Sequence, residues 1–106
     1  SQENKEPIIN YNTLHIDLIN RIVRKENEIL KLTTTEYALL VLLIKNEGKV
    51  LTHQYLLKEI WGNTFVDETQ YLRVFIAQLR KKIEDNPNTP NYIITESGVG
   101  YRFIGN

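Results

Sequence analysis

The chain has 106 residues, enough for one small domain with a core of its own. Hydrophobic residues make up 42% and charged residues 25%, an ordinary globular balance, and 13 basic side chains offset 13 acidic ones. There is no cysteine, which excludes disulfides, thiolate metal sites and cysteine nucleophiles, and no apolar run approaches the ~18 residues needed to span a bilayer.

Residues 1–6 are polar and lack the apolar core of an export signal, so a cytoplasmic setting is expected. With no methionine in the sequence, they read as the remnant of a linker from a longer protein, and residues 7–106 as the folded domain. Residues 8–11 and 14–18 flank the turn residues Asn12 and Thr13. Residues 21–24 and 28–32 flank Lys25, Glu26 and Asn27. Alternation and turn chemistry predict a small antiparallel sheet.

Three helices are expected next. Thr33 and Glu36 have capping-box spacing, with Leu32 and Tyr37 placed as a staple. The first helix, residues 34–46, is apolar nearly all round and belongs in the middle of a fold. Thr52 can cap the second, residues 52–61, which should bury Leu56, Leu57 and Ile60 before Gly62 closes it. Asp67, with Gln70 three residues on, can cap the third, residues 67–84. Leu72, Ile76, Leu79 and Ile83 give that helix a one-sided apolar stripe, and Pro87 and Pro90 stop it. The chain closes with a hairpin: residues 92–95 and 101–104 flank a five-residue loop whose two glycines, Gly98 and Gly100, permit positive φ.

An antiparallel sheet, three helices and a terminal hairpin give an α+β winged helix-turn-helix. In that geometry the third helix lies in the major groove of DNA and the hairpin, or wing, reaches the backbone. With the apolar stripe inward, Gln70, Arg73, Val74, Ala77, Gln78 and Lys81 point outward. Arginine suits guanine N7 and O6, glutamine suits adenine, and small apolar groups suit the thymine methyl. An ordinary solvated face, or a patch for a partner protein, fits the same residues. Zero net charge fits a winged helix that binds protein without DNA. The basic excess is local and small: residues 69–106 hold five Lys/Arg against three acids.

Several residues have bland readings. Trp61 can pack the second helix against the core, and Tyr101 alternates with Phe103 on a strand. Arg80 and Lys81 can be solvated cations at a helix C-terminus. His15 and Asp17 share a strand face without a third ligand, so a surface pair is expected there and no metal. Without a glycine-rich phosphate loop or paired acids in a cleft, neither an enzyme nor a cofactor is expected.

Five segments together resemble the effector domain of OmpR/PhoB-type response regulators. They are Leu32-Thr33 with Glu36-Tyr37 and Leu39-Leu40, Gly48-Lys49-Val50-Leu51-Thr52, Leu56-Leu57 with Ile60-Trp61-Gly62, Leu79-Arg80-Lys81-Lys82-Ile83, and Gly98-Val99-Gly100-Tyr101-Arg102-Phe103. Tyr71-Leu72-Arg73-Val74 and residues 93–103 are most similar to the Kdp branch, which controls a potassium-uptake operon. The resemblance implies a receiver domain ahead of this chain, phosphorylation by a sensor kinase, and pairing with a second copy on direct-repeat duplex sites. It also implies RNA polymerase contact through Gly62, Asn63, Thr64, Phe65 and Val66. Carried over by position, it implies base reading by Arg73, Val74 and Gln78. Phosphate contacts fall to Trp61, Gln70, Tyr71, Arg80, Thr95 and Tyr101. Ser97 stands where some members place a minor-groove arginine, Ala77 where some place a basic residue, and His53 where arginine is frequent. Each departure removes a cation, so the wing is expected to read less sequence.

Overall fold

The computed structural model describes residues 8–105, so the expected linker at residues 1–6 lies outside the described part. The chain divides into two compact units, one up to Lys31 and one from Leu32 onward. The first is a four-stranded antiparallel meander: β1 (Ile8–Asn10), β2 (Leu14–Asp17), β3 (Ile22–Lys25) and β4 (Glu28–Leu30), in that spatial order. Leu14, Ile16 and Val23 are buried, as the alternation requires. Asp17 builds the β2–β3 turn, its Oδ1 accepting the N–H groups of Ile19 and Asn20, both at 3.0 Å. Those bonds, Asn20 foremost, hold its carboxyl below the usual carboxylate range. His15 Nδ1 lies 2.7 Å from Asn10 Oδ1, so His15 and Asp17 have separate partners.

The second unit contains α1 (Thr34–Lys45), β5 (Val50–Thr52), α2 (His53–Trp61), a single 3-10 turn (Asn63–Phe65), α3 (Thr69–Ile83), β6 (Ile93–Glu96) and β7 (Gly100–Phe103). Its core is the set of side chains with almost no exposure: Leu39, Leu40 and Leu43 from α1, Leu56 and Leu57 from α2, all four stripe residues of α3, and Ile93 and Phe103 from the hairpin. Ile60 is only half-buried. The capping box at α1 is complete, with Glu36 N–H donating to Thr33 Oγ1 at 3.1 Å and Thr33 N–H to Glu36 Oε1 at 3.0 Å. Glu36 is buried, and Lys82 Nζ reaches the same Oε1 at 2.6 Å, tying the start of α1 to the end of α3. Thr52 caps α2 by accepting the Tyr55 N–H.

Three expectations are corrected. Asp67 does not cap α3; the helix starts at Thr69 with Glu68 at the cap position and no side-chain cap bond. The preceding 3-10 turn moves the start, because the Phe65 carbonyl accepts the Glu68 N–H at 2.9 Å. The hairpin loop is three residues, not five: Glu96 pairs with Gly100, and Val99 N–H closes the turn on Glu96 C=O, with φ +75° at Gly98. Gly100 therefore belongs to a strand and has no positive φ. It is glycine because β5, a strand not foreseen, pairs with β7 and makes a three-stranded sheet in the order β5-β7-β6. Where a Cβ on Gly100 would sit, the Leu51 carbonyl oxygen is only 1.9 Å away.

Candidate nucleic-acid interface

α3 is split lengthwise by its sequence. Leu72, Ile76, Leu79 and Ile83 are buried, while Gln70, Arg73, Val74, Ala77, Gln78 and Lys81 are all exposed. The outward face foreseen from spacing is thus a real surface, with Val74 at 45% exposure. An apolar side chain held that far out gives up much of what burial would gain it. Arg73 and Lys81 make no ion pair among the described residues, whereas the other C-terminal cations are engaged. Lys82 pairs with Glu36, and Arg102 pairs with Glu96 at 2.7 Å. Glu96 is spent on Arg102, and Glu84 on backbone amides. Arg73 and Lys81 are therefore the cations that α3 turns outward with no ion pair among the described residues.

α3 and the β6–β7 wing enclose a hollow of about 300 Å3. It is lined by Arg73 and Arg80 of α3, Thr95, Ser97, Gly98 and Tyr101 of the wing, and His53 at the start of α2. Two cations and three hydroxyl side chains face it, and no carboxylate does. Tyr101 meets the His53 ring edge-on at 5.6 Å, and the Arg80 guanidinium lies 5.6 Å over the Tyr101 ring. Burial raises the Tyr101 phenol above its ordinary pKa, with Arg80 and Arg73 opposing. Burial likewise draws Arg80 below the usual guanidinium value, though a guanidinium keeps its charge in proteins.

The expected site residues fall into two groups. Arg73, Arg80, Thr95 and Tyr101 meet in the hollow, joined by His53, Ser97 and Gly98. Trp61 and Tyr71 instead belong to an aromatic cluster with Phe65 and Phe75, with Trp61–Tyr71 and Trp61–Phe75 centroids both 5.1 Å apart. Trp61 is half-buried there and Tyr71 is 41% exposed. Phe75 was missed because it lies off the four-residue stripe; its place four residues after Tyr71 is the signal that could have found it. Asn63 and Thr64 of the 3-10 turn are exposed, with Gly62, Phe65 and Val66 half-buried around them.

A helix that buries one face in a three-helix core and turns the other beside a glycine-closed hairpin defines the winged-helix class. Residues 25–103 match the family model described as "Transcriptional regulatory protein, C terminal", and the chain belongs to that family. It is 45% identical over 101 residues to the transcriptional regulatory protein KdpE of Mycobacterium tuberculosis, covering 95% of this chain and 45% of the relative. The chain thus spans about half the length of that curated relative. Among solved structures it resembles the response regulator DrrB of Thermotoga maritima, an OmpR/PhoB homologue. The TM-score is 0.81 at 35% identity, over 95% of this chain and 46% of the other. It also resembles the DNA-binding domain of Klebsiella pneumoniae RstA, solved in complex with the RstA box. There the TM-score is 0.84 at 32% identity, over 93% of this chain and 98% of the other. Among the described residues, no helix is long and apolar enough to cross a membrane.

Proposed function

We propose that this chain binds double-stranded DNA in a sequence-specific way, as the effector domain of a two-component response regulator. The observation that carries this reading is the hollow between α3 and the wing, cationic and free of carboxylates, beside a helix face with amide, cationic and small apolar groups. A duplex presents base edges to the helix face, Arg73 included, and phosphates to the wing side of the hollow, where Thr95 and Tyr101 stand. Arg73, Val74 and Gln78 read bases. Gln70, Tyr71, Thr95 and Tyr101 flank them and grip phosphates, and Trp61 adds its indole N–H from the aromatic cluster. The likeness to the RstA domain, solved with its DNA box, supports the same docking. The likeness to KdpE, which in Escherichia coli is a KDP operon transcriptional regulatory protein, supports control of transcription, and within this reading the targets are potassium-uptake genes and the full protein is cytoplasmic, carries a receiver domain and answers a sensor kinase. Within that reading two copies occupy a direct repeat, and residues 62–66, exposed at Asn63 and Thr64, meet RNA polymerase.

Arg73→Ala is expected to weaken a selected cognate duplex by about 1–3 kcal/mol, the usual worth of a bidentate arginine–guanine pair. Random duplex should lose less, because a base-edge contact is made only on the matching sequence, whereas phosphate contacts are made on any. Titrations of both DNAs at one salt concentration check this. Equal losses on both would remove Arg73 from base reading. A protein-binding winged helix is the second reading, favoured by the zero net charge. It predicts that no duplex is retained even at low salt.

A further inference from the structure

Arg80 matches a position where a phosphate contact is expected, yet three of its five N–H donors are already turned onto the wing. Nε and Nη2 donate to the Ile93 carbonyl at 3.1 and 2.7 Å, and Nη2 also donates to Thr95 Oγ1 at 2.8 Å. One helical turn further on, Glu84 takes the other side of the same strand start. Its carboxylate accepts the N–H groups of Asn91, Tyr92 and Ile93 at 2.7 to 3.1 Å. β6 is an edge strand, and both main-chain polar groups of Ile93 are held by side chains from the end of α3 and its C-cap. Opposite charges four residues apart, one in the last turn of the helix and one at its C-cap, thus bind the carbonyl and the amide of one wing residue.

We propose that Arg80 is a positioning residue. With Glu84 it lashes the first wing strand to α3, so that the helix facing the bases and the hairpin facing the backbone move as one body. Arg80 then acts on DNA affinity by holding Thr95 and the turn at residues 97–99 in place, not by its own ion pair with a phosphate. The planar guanidinium matters more than the charge: three bonds to two acceptors need its fork, and an ammonium group on a flexible stem cannot hold both acceptors in that geometry. Thr95 is the sensor of the arrangement, because its hydroxyl is both a lining group of the hollow and an acceptor for Arg80.

This inference rests on the DNA-binding reading, and the test separates the two. Arg80→Lys and Arg80→Ala are compared with the wild-type chain on a duplex recovered from a random pool. Backbone order at residues 97–99 is measured by NMR relaxation in the free proteins. Both variants are expected to bind about tenfold or more weakly, the worth of hydrogen bonds from a charged donor. Both should loosen the turn at residues 97–99, with the lysine variant melting within a few degrees of wild type. The salt dependence should hold: each phosphate neutralised contributes a slope of about −0.9 in log K against log salt, and the alanine variant should keep the wild-type slope. A lysine variant that binds like wild type would overturn the proposal. So would an alanine variant that loses about 0.9 from the slope while the wing stays ordered, since Arg80 would then be a direct phosphate contact. A wild-type chain that enriches no duplex sinks the DNA reading itself, and this inference with it.

Discussion

Gly100→Ala is expected to destabilise the protein by about 3 kcal/mol or more, at the upper end of what overpacking costs. The reason is geometric and leaves no soft escape. A Cβ at this position would lie 1.9 Å from the Leu51 carbonyl oxygen, and 2.8 Å from both the Leu51 carbonyl carbon and the Thr52 Cα. All three atoms are backbone, so no rotamer change relieves the overlap; β5 must separate from β7. That separation breaks the three-stranded sheet through which the wing is joined to the segment between α1 and α2. Thermal melts check it, with an expected fall of roughly 12–24 °C for a domain of this size. An alanine variant melting within a few degrees of wild type would show that the strands do not approach this closely. Gly98→Ala, in the turn at φ +75°, meets no neighbouring atom and should cost less.

Glu84→Gln is expected to cost about 3 kcal/mol although it changes a single atom. Glu84 is buried, and its two oxygens between them accept three consecutive backbone amides. In the glutamine variant one acceptor becomes an NH2 group facing N–H donors, whichever way the amide is turned. At least one amide then loses its partner, at about 1–3 kcal/mol, and the others lose the strength that a charged acceptor gives. Glu84→Ala should be worse, leaving all three amides without it. Urea unfolding of both variants measures the difference. A glutamine variant as stable as wild type would mean that water replaces the carboxylate and that the segment from Asn91 to Ile93 does not depend on it.

These two residues mark where the sequence stops being readable. The inward stripe of α3 follows from spacing alone, since burial at 3.6 residues per turn leaves a periodic trace. The same count fixed the exposed face, including Arg73 and Gln78. The capping box at Thr33 and Glu36 is legible because both partners lie within one turn. β5 left no trace because three residues cannot show a period, and its partner β7 lies some fifty residues on. Gly100 consequently looked like a loop residue. Glu84 drew no reading, and Arg80 was read as a solvated cation or a phosphate contact, because their main partners are backbone atoms of the next element, which carry no residue-specific signal. Asp67 had the right chemistry for a cap and the wrong position, since the 3-10 turn before it sets where the helix begins. The hollow was half legible: its residues were named one at a time, but His53 entered only as a lost cation, and nothing in the order of residues brings it beside Tyr101.

Selection from a pool of randomised double-stranded DNA decides whether α3 and the wing read a duplex. The chain is expected to enrich one motif, repeated in tandem where two copies bind, with an affinity that falls steeply as salt rises. Arg73→Ala should blur one or two positions of that motif while leaving the others. Failure of any duplex sequence to enrich at low salt, with the protein folded, would contradict the account and leave a winged helix whose exposed face serves another protein.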